Sequence, residues 1–93
     1  MEDDLHPTVV MEVLSDSTEE HDRTDKWRCY QMIDSLQQYV LLSQNYAYVE
    51  SFYRQDQSKK WLYIPAEGMD QSVEIAGCEV KLGDIYRRVK LPG

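Results

Sequence analysis

Glu12 and Lys26 each sit among neighbours of a different chemistry. Glu12 interrupts the β-branched and apolar run TVVMEVL (8–14), and Lys26 lies among Trp27, Tyr30 and Ile33 in the segment that follows. A charged carboxylate among apolar side chains is costly to bury without compensation. Glu12 must therefore face solvent on one side of a sheet, pair with a cation, or hold a metal. Lys26 either snorkels its ammonium to water along an apolar face or aims it at Glu12, and the spacing leaves both open. If the two meet, the carboxylate could bind a divalent cation and the lysine could orient a metal-bound water. Asp22 and Arg23 lie within about one helical turn of Lys26, and Tyr30 lies one turn beyond it, so all three could border such a site. For Asp22 and Arg23 an ordinary solvated turn is the simpler account.

Other constellations are weaker. His6 and His21, with Cys29 and Cys78, do not have zinc-ligand spacing. The four glycines are not clustered, so there is no phosphate-cradling loop. Ser15, His21 and Asp22 are near one another in sequence, which does not make a catalytic triad. Tyr46, Tyr48, Phe52 and Tyr53 read as sheet packing rather than base-stacking groups.

These residues need elements to position them. On a strand over 8–14, Glu12 shares a face with Val10 and Leu14, while Val9, Met11 and Val13 point the other way. Apart from Glu12 both faces are apolar, which predicts a strand covered on both sides. Ser17 and Glu20 fit a capping box, and the stretch from Glu19 to Ile33 predicts a helix that ends at Asp34-Ser35. On a wheel of about 100° per residue with Lys26 at zero, Ile33 falls at about 340°, Tyr30 at about 40°, Cys29 at about 300° and Trp27 at about 100°. That places Lys26 near the centre of the apolar sector. Strands follow over 36–44, 47–55 and 59–68, the first two joined by a short turn at 44–46. Short strands flank Gly77 in 72–82, and a short helix over 83–91 carries cations in its last turn, where they suit the helix dipole. The order predicts a mixed α/β sheet with one crossover helix after the first strand, and hence a parallel first pair.

The 93 residues bound the chain to one small domain with a modest core, residues 1–7 being a polar lead-in and 8–91 the core. The net charge of −7 lacks the basic footprint of most nucleic-acid binders, although bound divalent cations change the field of an acidic site. The two cysteines form no CxxC pair, the first residues are acidic, and no apolar run could span a membrane. These features predict reduced thiols and a cytoplasmic protein.

Taken together, PTVVMEVLSDST (7–18), DRTDKWRCY (22–30), SLQQYVLLSQ (35–44), VESFYRQ (49–55) and WLY (61–63) resemble the Uma family of restriction endonucleases, abundant in cyanobacteria, within the PD-(D/E)XK nuclease superfamily. The shared pattern is a strand ending E-V-L-S, a D-R-x-x-K segment, a tyrosine four residues on, and L-x-x-Y-x-L-x-S. The resemblance runs from Pro7 nearly to the C-terminus. It implies a restriction-endonuclease-like mixed sheet and metal-dependent hydrolysis of DNA phosphodiesters with Mg²⁺ or Mn²⁺.

Carried over by position, the resemblance makes Glu12 a metal ligand and the Val13 carbonyl the backbone ligand. The lysine of an E-x-K motif would fall at Leu14, which is apolar; Lys26, on the following helix, matches the migrated lysine. Ser15 and Tyr30 match recurrent neighbours. The family domain is about twice as long, and its upstream half carries a Pro-Asp whose aspartate is the second metal ligand. No Pro-Asp precedes Glu12, and Asp3 and Asp4 lie too close to the strand to replace it. The chain thus resembles the C-terminal half of the domain, truncated at its N-terminus. The expectation is weak metal binding and weak or absent cleavage. The alternative is a non-catalytic remnant that binds a partner, or a second copy, through an exposed sheet.

Overall fold

The computed structural model describes residues 8–14, 22–55 and 59–87. Four strands, β1 (Val9–Leu14), β2 (Gln38–Ser43), β3 (Tyr48–Arg54) and β4 (Trp61–Glu67), form a mixed sheet in that order. β1 and β2 are parallel, with Val9 opposite Gln38 and Leu14 opposite Ser43. β2, β3 and β4 run antiparallel in turn. The chain crosses from β1 to β2 through a π-helical turn, Asp22–Lys26, that runs into α1 (Trp27–Tyr30). A hairpin of β5 (Ser72–Ile75) and β6 (Cys78–Lys81) leads into α2 (Leu82–Tyr86). Ala76 and Gly77 turn that hairpin with φ of 54° and 85°; two consecutive positive φ values match the right-handed twist of paired strands. The architecture is mixed α/β, compatible with a restriction-endonuclease-like fold and with the parallel pair expected from the sequence.

Strand alternation divides the core in two. On one face Val40, Leu42 and Val49 pack with Val73, Leu82 and Tyr86 from the hairpin and α2. Polar ties fix this layer. Gln38, almost fully buried, donates to the Glu74 carbonyl (2.6 Å) and accepts from the Ala76 amide (3.0 Å). The Tyr86 hydroxyl donates to the carbonyls of Ser43 (2.7 Å) and Tyr48 (2.9 Å). On the other face Leu14, Tyr39 and Leu41 pack with Val10, Phe52, Trp27 and Tyr30. α1 is only four residues long, far below the length at which a helix persists alone in water, so it depends on docking. Trp27 supplies the dock: its ring stacks on Tyr39 at 5.1 Å and meets Phe52 and Trp61 at 4.8 Å each.

Several details depart from the sequence expectation. The helix does not reach Ile33. Beyond Tyr30 the amides of Met32, Ile33 and Leu36 bond three residues back, to Cys29, Tyr30 and Ile33. Arg54 holds the exit: its guanidinium takes the carbonyls of Leu36 (2.6 Å), Ile33 (2.9 Å) and Gln31 (3.4 Å), all of which lie past the last helical residue. The buried sector is also rotated. Lys26, Trp27 and Tyr30 define it, so its centre lies about 50° from Lys26 toward Trp27. Lys26 is at its edge, and Cys29, expected inside, is exposed. Finally, β1 is not covered on both sides by the described residues: Met11 and Val13 remain 46% and 50% exposed, because the hairpin and α2 lie over β2 and β3. The Ser17–Glu20 capping box and the cations at residues 88 and 90 lie outside the described residues.

Candidate functional site

Glu12 occupies the face of β1 that looks toward α1. The parallel pairing sets it beside Leu41, and the packing of Val10 and Leu14 with Trp27 and Tyr30 fixes which way that face points. Lys26 comes from the last residue of the π-helical turn, whose wider register carries an extra residue before the α-helix resumes. Its Nζ lies 3.4 Å from Glu12 Oε1. The Tyr30 hydroxyl donates to Glu12 Oε2 at 2.6 Å, and its ring rests on Tyr39 with centroids 5.0 Å apart. Each carboxylate oxygen therefore has a donor from the crossover. Of the two options for Lys26, the structure takes the one that aims the ammonium at Glu12. The Glu12 and Lys26 side chains are 22% and 38% exposed, so the pair is half-buried and within reach of solvent ions and ligands.

The backbone of β1 is equally specific. The Thr8 carbonyl accepts from the amides of Gln37 (2.8 Å) and Gln38 (3.1 Å). By alternation the peptide groups of Val10, Glu12 and Leu14 also face β2, and those of Met11 and Val13 face the outer edge of the sheet. The Val13 carbonyl thus points away from the ladder, one residue from the Glu12 carboxylate. Among the described residues, no cluster of three or more His, Cys, Asp or Glu side chains could hold a metal ion. Among the described residues, the oxygen donors at this point are Glu12 and the Val13 carbonyl. Ser15 lies outside the described residues, as do the side chains of Asp22 and Arg23.

The sequence reading passed over a second carboxylate. Glu50 is 4% exposed and sits opposite Leu41 on the same face as Glu12. It accepts from the Tyr63 hydroxyl at 2.6 Å, and that hydroxyl lies 3.4 Å from Tyr48's. Desolvation of the Tyr63 hydroxyl, then its bond to Glu50, push that phenol's pKa well above its ordinary value. The period-2 argument that singled out Glu12 applies equally to Glu50, which falls between Tyr48 and Phe52 on one strand face. Burial also raises the pKa of Tyr86, and its hydrogen bonds to the Tyr48 and Ser43 carbonyls act the other way.

Two comparisons bear on this arrangement. A sequence model of the Uma2 family, described as "Putative restriction endonuclease", matches residues 1–82. The chain is also 32% identical over 83 residues to "Uncharacterized protein slr1290" of Synechocystis sp. (strain ATCC 27184 / PCC 6803 / Kazusa), a match that covers 88% of this chain. It spans 43% of that relative's length. Among the described residues no helix is long and apolar enough to cross a membrane. The matched region holds the strand, crossover and β2 that bring Glu12, Lys26 and Tyr30 together, and over that region the chain belongs to the Uma2 family of restriction-endonuclease-like proteins.

Proposed function

We propose that the chain carries the glutamate–lysine part of a metal-dependent DNA endonuclease site. The observation that carries this reading is the convergence of Lys26 and Tyr30 on the two oxygens of Glu12, within a chain of this family. Glu12 and the Val13 carbonyl would hold Mg²⁺ or Mn²⁺, a donor set that fits an ion which keeps several waters and takes its remaining ligands from substrate phosphate. When bound, the metal supplies Lewis-acid polarisation of a phosphate oxygen and a more acidic water. Lys26 supplies a fixed positive charge where negative charge grows on the phosphoryl oxygens. Tyr30 holds the carboxylate in one rotamer, so that Glu12 and Lys26 keep their relative position as substrate enters. With one side-chain carboxylate at this point among the described residues, metal binding and cleavage by this chain alone are expected to be weak.

Plasmid nicking with Mn²⁺ tests the reading. Slow nicking, lost in both Glu12→Ala and Lys26→Ala, supports it; nicking that persists in both variants refutes it. Absence of nicking by the unaltered chain favours a second reading, a non-catalytic module that pairs with another chain. That reading has its own observation in the outer edge of β1. Its outward-facing peptides and exposed Met11 and Val13 offer a strand template, whereas the opposite edge strand, β4, carries Pro65, which cannot donate to a ladder.

A further inference from the structure

On the face of the sheet that holds Glu12, a groove of about 510 Å³ opens beyond the end of α1, lined by Arg28, Gln31, Asp34, Arg54, Lys59 and Trp61 among others. Its charge runs against the rest of the molecule. Three cations and one acid give a local balance of +2 in a chain whose net charge is −7. The walls are built rather than incidental. Arg54 lies over the Trp61 ring at 4.4 Å while its nitrogens grip the carbonyls of Ile33 and Leu36, so the floor is rigid. Arg28 and Lys59 are exposed on either side. A rigid floor with two solvated cations in its lining suits a phosphate anion, the repeating charge of a nucleic-acid backbone.

The groove also lies on a path from the Glu12 site. Glu12, Leu41 and Glu50 stand opposite one another on β1, β2 and β3, and Arg54 is four residues along β3 on the same face. At about 4.8 Å per strand and 3.3 Å per residue, the groove sits roughly 16 Å from Glu12. One strand of a duplex rises about 3.4 Å per nucleotide along the axis while winding around it, so that separation spans roughly two to three nucleotides. We propose that Arg28 and Lys59 in this groove contact a backbone phosphate of the DNA strand that runs to Glu12 and Lys26, about two to three nucleotides from the bond the site addresses. The inference rests on the nuclease reading for the identity of the polymer, but its test needs no metal and no cleavage.

The test is fluorescence anisotropy of a short labelled duplex titrated with the full chain in EDTA, over a series of KCl concentrations. Replacing both groove cations, Arg28→Gln with Lys59→Gln, should weaken binding about tenfold at low salt for every duplex sequence, and should lower the salt slope by about 1. Charge-retaining Arg28→Lys with Lys59→Arg should restore most of the binding, which a folding defect would not allow. Unchanged affinity and slope in the neutralised variant overturn the groove and leave the nuclease reading intact. Failure of the unaltered chain to bind duplex in EDTA also overturns it, whatever plasmid nicking reports. Binding without any nicking supports the groove and counts against the catalytic reading alone.

Discussion

Replacing Arg54 should unseat the crossover that carries Lys26 and Tyr30. Its guanidinium donates to the carbonyls of Leu36 at 2.6 Å and Ile33 at 2.9 Å, and stacks over Trp61 at 4.4 Å. A hydrogen bond from a charged donor contributes about 1.5–3 kcal/mol, and a part-exposed cation–π contact about 0.5–1 kcal/mol. The contacts share one side chain and do not add fully, so Arg54→Ala is expected to cost about 3–4 kcal/mol. For a domain of this size that lowers Tm by roughly 15–25 °C. Arg54→Lys keeps the charge but not the planar fork, and should recover less than half of the loss. Urea unfolding followed by tryptophan fluorescence is well placed to read this, because the two tryptophans, Trp27 and Trp61, both belong to the aromatic layer that Arg54 anchors. A loss below about 1 kcal/mol for Arg54→Ala, typical of a surface residue, would refute the reasoning that this guanidinium fixes the exit from the helix.

Three further outcomes follow from the same contacts. Tyr86→Phe removes the hydroxyl that bridges the Ser43 and Tyr48 carbonyls and should cost about 1–2 kcal/mol in urea unfolding; an unchanged midpoint would mean the bridge contributes nothing. The raised pKa of Tyr86 gives stability that is full below the unfolded tyrosine value of about 10 and falls as pH rises above it, because the unfolded chain loses that proton first. The urea midpoint should therefore drop in alkali, and drop less in Tyr86→Phe; equal drops would show that Tyr86 is not the group responsible. Tyr30 and Glu12 should be coupled by about 1 kcal/mol in a double-mutant cycle of Tyr30→Phe with Glu12→Ala, a charged hydrogen bond discounted for partial exposure. A coupling near zero would mean that the 2.6 Å contact does not persist in solution.

How much of this was legible in the sequence depends on the range of the force involved. Period-2 alternation needs only local geometry, so the face of Glu12 and its company with Val10 and Leu14 could be read directly. The parallel pairing of β1 with β2 followed from the length of the crossover. The extent of the helix could not be read, because the chain leaving it is held by Arg54, more than twenty residues downstream in another strand. The same long-range packing misplaced Cys29 and over-centred Lys26. An ideal wheel assumes an α register throughout, whereas the π-helical turn and the docking of Trp27 rotate the buried face. Glu50 was missed for a different reason. Its acidity invited no attention in an acidic chain, although the alternation that marked Glu12 marks it as well.

In the proposed site, Glu12 and the Val13 carbonyl together form the metal-binding end of the Glu12–Lys26 pair. Amide resonances of the isotopically labelled chain, followed while Mn²⁺ is added at substoichiometric steps, test it most directly, since a paramagnetic ion broadens the nearest signals first. Glu12, Val13 and their β2 neighbours Leu41 and Leu42 should lose intensity before the rest, and Glu12→Ala should abolish the effect. Early broadening centred elsewhere, for instance on the acidic hairpin residues Glu74 and Glu79, with Glu12 and Val13 still sharp, would contradict it.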